Sequence, residues 1–206
     1  MEVIASTIVR REFKHEVYMK TKKSMELVKW DNFIGRKVII NPVFDGKKIP
    51  GRGVSPWVLE SVLRVIKEKY PDAHISIINP EWPKACKKYA KIVKKAPLEG
   101  DLINIGVLRY GAEKILNGKP LLMIIDATVC WAGGARVCDT IITSASKKAM
   151  VSALKKLYGG KEKHEYRLIG ELPKIRLKKE GFFEAFLAKR YTDQVLNHPL
   201  YSQEFS

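Results

Sequence analysis

The sequence predicts an α/β fold in which a mostly parallel sheet is covered by helices. Val38–Ile40, Ile75–Ile78 and Leu121–Ile125 are continuously apolar and rich in β-branched residues, as expected of strands buried on both faces. Helical patterns begin near Pro56 and near Ser146. Because strands that alternate with helices pair in parallel through crossover connections, we expect a single compact domain with terminal extensions.

The stretch from Val38 to Ile78 is the clearest unit. Its first strand ends at Asn41-Pro42, and the Gly/Pro-rich loop VFDGKKIPGRGV leads to Ser55-Pro56, a helix N-cap followed by proline in the first helical position. Pro71 ends the helix before the next strand. The apolar residues of this helix share one face, and the polar ones are expected on the other: Leu59, Val62, Leu63, Ile66 and Tyr70 against Glu60, Arg64, Lys67 and Glu68.

The elements on either side of this unit complete the prediction. Residues 1–34 form an N-terminal extension with strands at Val3–Val9 and Met25–Trp30. In the core, residues 35–171, we expect a lysine-dense helix over Glu81–Ala96, a strand over Leu102–Val107 and a short helix over Arg109–Leu116.

The second half of the core and the C-terminal extension follow the same alternation. A glycine-rich loop after Asp126 leads to a strand over Thr140–Thr143, and Ser144 or Ser146 caps a helix that ends near Leu157. The C-terminal extension, residues 172–206, follows. The last predicted elements are paired strands at Tyr166–Ile169 and Ile175–Leu177 and a helix over Phe182–Tyr191.

The charge of the chain points to an anionic partner. Against 22 acidic residues stand 38 basic ones, which gives a net charge of +16. An excess of this size repels itself in the folded state and attracts polyanions. A lysine-rich thermophile surface is the alternative, but such surfaces normally carry matching glutamate.

A lysine stripe is the first candidate for polyanion binding. Lys84, Lys88, Lys91 and Lys95 recur at helical spacing, with Lys87 and Lys94 at the edge of the stripe. A solvated helix face is the equal alternative. Further basic pairs in the predicted core join the candidate set: Lys147, Lys148, Lys155 and Lys156.

Two glycine-rich loops make up the second candidate site. Ligands of open parallel sheets bind outside the carboxyl ends of the strands, and both loops leave such ends. The loops carry the side chains and backbone N–H groups that hold phosphate: Asn41, Lys47, Lys48 and Arg52 in the first loop, and Asp126, Trp131, Gly133, Gly134 and Arg136 in the second. GKKIPGRG lacks the Gly-Lys-Ser/Thr of a phosphate-binding Walker loop, so ordinary turns explain most of these glycines equally well.

The sequence contains no recognisable catalytic constellation, metal-ligand spacing or cofactor motif. Cys86, Cys130 and Cys138 have no C-x-x-C spacing and read as small apolar residues, with a Cys130–Cys138 bridge as the alternative. The four histidines occur in unrelated segments. Of the four tryptophans, Trp131 is the candidate for stacking, because its glycine-rich surroundings do not suggest a core. We therefore expect neither a cofactor nor a metal, and an enzyme is the less favoured class.

The lack of a long apolar segment predicts a cytoplasmic protein without a membrane partner. Abundant Lys, Ile and Val with few glutamines favours a thermophilic source.

The order of elements resembles the family described as domain of unknown function 362, found in archaea and bacteria. The resemblance rests on GRKVIINPVFDGKKIPGRGVSPWVLESVLRVIKEKYPDAHISI, on LLMIIDATVCWAGGARVCDTIITSASKKAMVSALKKLYG and on EYRLIGE, and covers about residues 35–171. The central Lys-Leu-Lys-Thr-His segment and the ferredoxin-type cysteines of many relatives are missing, and the region of residues 104–119 is short. Since that family shares no established activity, the resemblance implies the fold far more than any function. We expect an archaeal source.

Three functional hypotheses follow. The preferred one is a basic, non-enzymatic protein that binds RNA or a ribonucleoprotein, such as the ribosome, through phosphate contacts. The second is an enzyme or small-ligand-binding protein that uses the two glycine-rich loops around Asp126. The third is a structural subunit whose basic face neutralises acidic neighbours in an assembly.

Overall fold

The computed structural model describes residues 1–10, 13–44, 51–78, 84–109, 111–112, 118–131 and 135–175. Within these residues the helices are α1 (Lys14–Leu27), α2 (Pro56–Lys69) and α3 (Lys147–Leu157), with 3₁₀ turns at Trp30–Asn32 and Lys84–Lys88. The strands are β1 (Val3–Ile8), β2 (Lys37–Pro42), β3 (His74–Ile78), β4 (Lys91–Val93), β5 (Asp101–Arg109), β6 (Leu122–Trp131), β7 (Ala135–Ser144) and β8 (Arg167–Ile169).

The described strands form one mixed, mostly parallel sheet in the order β4-β3-β2-β5-β6-β7-β1-β8. Neighbours from β4 to β6 run parallel, as do β1 and β8, whereas β7 runs antiparallel to both β6 and β1. The α/β fold with a mostly parallel sheet is therefore confirmed. None of the described helices combines the length and the apolarity that crossing a bilayer requires.

Helices cover the two faces of the sheet unequally. The first face packs against α1 and α2 and contains the larger core, which includes Val17, Leu59 and Ile105. The second face packs against α3 and contains a smaller core, which includes Met123 and Leu154. We call these the α1/α2 face and the α3 face.

The unit from Val38 to Ile78 folds as the sequence predicts. The Ser55 hydroxyl accepts a hydrogen bond from the Val58 N–H at 3.2 Å and caps α2, with Pro56 in the first helical position. Glu60 differs from expectation, because it is 5% exposed instead of lying on a solvated face. The helix is enclosed by α1 and by the Lys84–Lys88 turn as well as by the sheet, so even its polar side is covered.

Within the first 34 residues the predicted strand at Val3–Val9 is confirmed as β1, whereas the strand predicted at Met25–Trp30 is wrong. Residues 25–27, expected to begin a strand, end α1, and Trp30 begins a 3₁₀ turn. The buried face of α1 includes Thr21 and Ser24, which bond to the Val17 carbonyl and to the Thr143 hydroxyl. These two polar residues interrupt the apolar periodicity by which an amphipathic helix is recognised, so the pattern was hidden.

The lysine-dense helix predicted over Glu81–Ala96 is wrong in the part that the structure describes. Lys84–Lys88 is a 3₁₀ turn, and Lys91–Val93 is the edge strand β4, paired in parallel with β3. The pairing of Ile92 and Val93 with β3 is a tertiary contact, and it overrides the helical spacing of the lysines.

Two further predictions around the second glycine-rich loop need correction. The chain after Asp126 remains in β6 as far as Trp131, and β7 starts at Ala135, so a long hairpin replaces the expected loop. Arg109 ends β5 instead of beginning a helix. The rest of that predicted helix, at residues 110 and 113–116, lies outside the described residues.

At the C-terminal end, β8 pairs in parallel with β1. The predicted strand Ile175–Leu177 lies outside the described residues beyond Ile175. Residues 176–206, with the predicted helix over Phe182–Tyr191, lie outside the described part of the chain. Ser146, and not Ser144, caps α3 by accepting a hydrogen bond from the Ala149 N–H at 3.2 Å.

Candidate functional site

A lysine-lined groove of about 410 Å³ lies beside the sheet edge formed by β4. Its wall consists of the end of the 3₁₀ turn and the start of β4 on one side and β3 on the other. The lining residues that carry positive charge are Lys87, Lys88 and Lys91, and His74 and Tyr89 lie among them. Among the described residues that line the groove there is no carboxylate. The groove therefore presents ammonium groups, an imidazole and a phenol to a ligand.

The lysines of this edge differ in their contacts with the rest of the protein. Lys88 lies 4.8 Å from the Tyr89 ring centroid and 3.5 Å from a carboxylate oxygen of Glu60. Its hydrogen bond to Tyr89 raises the Lys88 pKa, with the Glu60 charge adding to the effect. Lys87 and Lys91 are exposed, and within the described residues neither has a carboxylate within 4 Å. Lys88 thus stabilises the fold through Glu60 and Tyr89, while Lys87 and Lys91 present their charge to solvent.

Through its ion pairs, Glu60 of α2 connects the Lys84–Lys88 turn with α1. The Lys14 ammonium from α1 lies 2.7 Å from one carboxylate oxygen of Glu60, and Lys88 approaches the other. The Lys14 contact is an ion pair, since that oxygen makes no hydrogen bond of ordinary geometry within the described residues. A buried carboxylate with two cations at its rim fixes the Lys84–Lys88 turn against α2.

The sequence-predicted lysines fall into two separate groups. Lys94 and Lys95 follow β4 and are exposed, so they extend the first group along the sheet edge. Lys84 begins the 3₁₀ turn, but its side chain lies outside the described part. The second group lies on α3, on the other face of the sheet, and consists of Lys147, Lys148, Lys155 and Lys156. With a strand spacing of about 4.8 Å, the five steps from β4 to β7 separate the groups by roughly 24 Å.

Two lysines of the second group are also held by contacts with the rest of the protein. The Lys147 ammonium donates to the Gly118 carbonyl at 3.1 Å, and Lys156 pairs with Glu162 at 2.9 Å. The continuous stripe expected from a helix is therefore replaced by a basic sheet edge and a distant helix surface.

Asp126 is a structural anchor. Its carboxylate is 2% exposed and accepts hydrogen bonds from the Ser55 N–H at 2.6 Å, the Thr128 N–H at 3.0 Å and the Thr128 hydroxyl at 2.6 Å. Burial raises the Asp126 pKa, and the hydrogen bonds from Thr128 and Ser55 offset part of that rise. The carboxylate occupies the N-terminal end of α2, where its charge suits the helix dipole.

The two glycine-rich loops come together at Trp131. Gly51 has φ +75°, and a Cβ at this position would lie 2.8 Å from the Cys130 carbonyl carbon, so the backbone of the first loop packs directly on the end of β6. The next residue, Arg52, places its guanidinium carbon 5.3 Å from the centroid of the Trp131 ring. This distance is within the range of a cation–π contact.

The other members of the predicted pocket are not gathered there. Asn41 donates to Asn104 at 3.3 Å, and both alternate with residues of the α1/α2 core, which places them on the α3 face. Arg136 is the register partner of Cys130, a member of the α3-face core, whereas Trp131 packs on the other face. Lys47, Lys48, Gly133 and Gly134 lie outside the described residues.

Sequence analysis missed Arg109. It is the register partner of Trp131 across β5 and β6, and it is partly exposed. Within the described residues no carboxylate lies within 4 Å of its guanidinium. Its position directly after the apolar run Leu102–Leu108, at the carboxyl end of a parallel strand, was the signal that could have identified it.

The remaining candidates for chemistry have structural surroundings. Cys130 and Cys138 are both free and pack together on the α3 face, and the hydrogen bond of the Cys138 thiol to Cys130 together with burial raises the Cys138 pKa. His164 and Ser146 both bond to one carboxylate oxygen of Glu2. No group of three metal-binding side chains occurs among the residues that the structure describes.

Among the tryptophans, Trp30 and Trp57 are 3% and 7% exposed and belong to the core, so they are not available for stacking. Trp82 lies outside the described residues. Trp131 is half-buried and packs against the α1/α2 core, contrary to the expectation from its glycine-rich surroundings, and its role in stacking stays a prediction.

Comparison of the chain with protein-family models, with curated proteins and with solved structures found no match. The resemblance to the domain of unknown function 362 family therefore stays a prediction.

Proposed function

We propose that this protein is a basic, non-enzymatic RNA-binding protein that docks on RNA or a ribonucleoprotein through phosphate contacts at the β4 edge of its sheet. The observation that carries the proposal is the groove of about 410 Å³ with Lys87, Lys88 and Lys91 in its wall and no carboxylate among the described residues of its lining. Lys94 and Lys95 continue the positive surface beyond the groove.

The chemistry of the groove suits phosphate better than base edges. Lysine ammonium groups are point charges that bind phosphate oxygens without reading sequence. Tyr89 is half-buried beneath Lys88, so it supplies a ring edge beside the phosphate path rather than an open stacking platform. Binding should therefore vary little with base sequence.

The salt dependence of RNA binding tests this mechanism. Each single-strand phosphate neutralised contributes about −0.7 to the log–log slope, so contacts from Lys87, Lys91, Lys94 and Lys95 predict a slope of about −2.8. Raising the salt from about 50 to about 200 mM should then weaken binding by about fifty-fold. The measurement is a filter-binding titration with single-stranded RNAs of unrelated sequence.

The outcome distinguishes phosphate docking from other modes. A slope near zero would remove the electrostatic mechanism. A preference of more than about a hundredfold for one short sequence would instead indicate base readout. A second readout is the nucleic acid that remains on the protein after purification at low salt, measured by the absorbance ratio and by sequencing. Protein free of nucleic acid under these conditions would contradict the proposal.

A further inference from the structure

The carboxyl ends of β2, β5 and β6 form a second site, separate from the lysine edge. After β2 the chain adds β3 and β4 on one side and then β5 on the other, so the order of strands reverses between β2 and β5. Open α/β sheets bind ligands outside the carboxyl ends of their strands at such a switch point. Topology alone therefore marks the edge that holds Arg52, Arg109 and Trp131.

The arrangement of these three side chains indicates the kind of ligand. Arg52 stacks over Trp131, and Arg109 lies beside Trp131 on the neighbouring strand. The pairing of β5 with β6 shifts between Val107 and Arg109, but β5 itself still alternates, since Val107 lies in the α1/α2 core and Leu108 in the α3 core. Arg109 therefore follows on the α1/α2 face, where Trp131 also packs. Two guanidinium groups thus flank one half-buried indole.

The electrostatics of this site favour an anion. Asp126, a buried carboxylate at the N-terminus of α2, is committed to Ser55 and Thr128, and within the described residues no carboxylate lies within 4 Å of the Arg109 guanidinium. That helix end is therefore already occupied by a protein anion and is not the binding group. The guanidinium of Arg109 carries N–H donors in a planar fork, the geometry that matches phosphate.

The stack supplies the second half of the recognition. A guanidinium lying on an indole is held in one plane, and nucleobases stack on such planes as readily as on aromatic rings. Gly51 keeps the Arg52 backbone against Cys130, because any larger residue would meet the Cys130 carbonyl. The platform is thereby fixed before a ligand arrives, which lowers the entropy cost of binding.

From these observations the geometry points to a binding site for a nucleoside monophosphate, with Arg109 binding the phosphate and the Arg52–Trp131 stack supporting the base. The two strands of this site, β5 and β6, are three and four strand spacings, roughly 14 and 19 Å, from β4. It does not depend on the RNA-binding proposal, since none of its residues belongs to the lysine edge.

Isothermal titration calorimetry of the full chain with AMP, adenosine and inorganic phosphate tests this site. AMP should bind once per chain and more tightly than either half-ligand by about tenfold or more. Arg109→Gln should weaken AMP by about tenfold or more and leave adenosine unchanged, because it removes only the phosphate contact. Trp131→Leu should weaken both AMP and adenosine.

Two controls make the result specific. Arg136→Gln removes the same chemistry from the opposite face of the neighbouring strand, and it should leave AMP affinity within about twofold. Reversal of Lys87, Lys91, Lys94 and Lys95 to glutamate should also leave it within about twofold, even where it abolishes RNA binding. Circular dichroism verifies the fold of each variant.

Three outcomes would overturn the proposal. The first is the absence of saturable AMP binding, and the second is an Arg109→Gln variant that binds AMP like the wild type. The third is equal weakening by Arg136→Gln, which would reveal non-specific attraction to a positively charged protein. If AMP does not bind while the binding of an RNA oligonucleotide requires Arg109 and Trp131, these residues form part of an RNA-binding surface and not a mononucleotide site.

Discussion

Replacing Asp126 by alanine should destabilise the protein without removing a binding group. The substitution leaves two backbone N–H donors, those of Ser55 and Thr128, without their acceptor in a region where both residues are fully buried. Each unsatisfied buried donor costs about 1–3 kcal/mol. Removing a desolvated carboxylate returns part of this cost, so the net loss of unfolding free energy should be about 2–4 kcal/mol.

Urea unfolding and thermal melts measure this loss. For a chain of this size, each kcal/mol shifts Tm by about 2–4 °C, so the melting temperature should fall by about 4–16 °C. Asp72→Ala is the matched control, because Asp72 is exposed, and the change should stay within about 0.5 kcal/mol. Below the melting transition, RNA affinity should equal that of the wild type. An Asp126→Ala protein as stable as the control would refute the anchoring role.

Three further predictions concern the same scaffold. Because burial raises the Asp126 pKa, the folded state holds this proton more tightly than the unfolded chain. The stability that Asp126 contributes is therefore fully present below the ordinary pKa range of an aspartate and is lost as pH rises through the raised pKa; the difference in unfolding free energy between the wild type and Asp126→Asn in urea titrations should follow that loss. Gly51→Ala should lower the unfolding free energy by more than about 1 kcal/mol, from the left-handed backbone and the contact with Cys130, and unchanged stability would contradict the packing of the two loops. Lys14→Met should cost about 1–3 kcal/mol by leaving the buried Glu60 carboxylate with Lys88 alone, less than in a fully buried pair because Lys14 is half exposed. Adding Glu60→Gln should recover most of that loss, whereas additive losses would exclude the ion pair as the cause.

The central strands could be predicted because their signal is local. Val38–Ile40 and Leu122–Ile125 are apolar and buried on both faces of the sheet, and Ile75–Ile78 is apolar except for Ser76, with one face buried and the other half-buried. The capping of α2 by Ser55-Pro56 is equally local. Propensity and tertiary structure agree in these segments, so sequence pattern was sufficient.

Where tertiary contacts decide the conformation, sequence pattern failed. α1 buries Thr21 and Ser24 through hydrogen bonds that no periodicity reveals. In the Lys84–Val93 segment, lysine spacing suggested a helix, whereas pairing with β3 selected a strand.

For the candidate site, too, some residues could be predicted from the sequence and others could not. The meeting of Arg52 and Trp131 followed from the rule that strand ends carry the site. Arg136 was assigned to the wrong face, since the face of a strand residue depends on where the hairpin turns, and a shift by one residue reverses it. Arg109 was missed because the end of β5 was taken for the start of a helix.

The account rests on the claim that the β4 edge, and not positive charge in general, binds RNA. Two variants with the same change in charge test it directly. One carries Lys87, Lys91, Lys94 and Lys95 reversed to glutamate, and the other carries the same reversal at the α3 lysines, Lys147, Lys148, Lys155 and Lys156. Lys88 is unchanged in both variants, because it forms an ion pair with Glu60.

The decisive measurement is the RNA dissociation constant of these two variants at about 150 mM salt, where the screening length of about 8 Å is far shorter than the distance of roughly 24 Å between the two groups. The account predicts that the edge variant loses affinity by well over about tenfold, or more than about 1.4 kcal/mol, while the α3 variant changes by about threefold or less. Equal losses in the two variants, or a larger loss in the α3 variant, would contradict it.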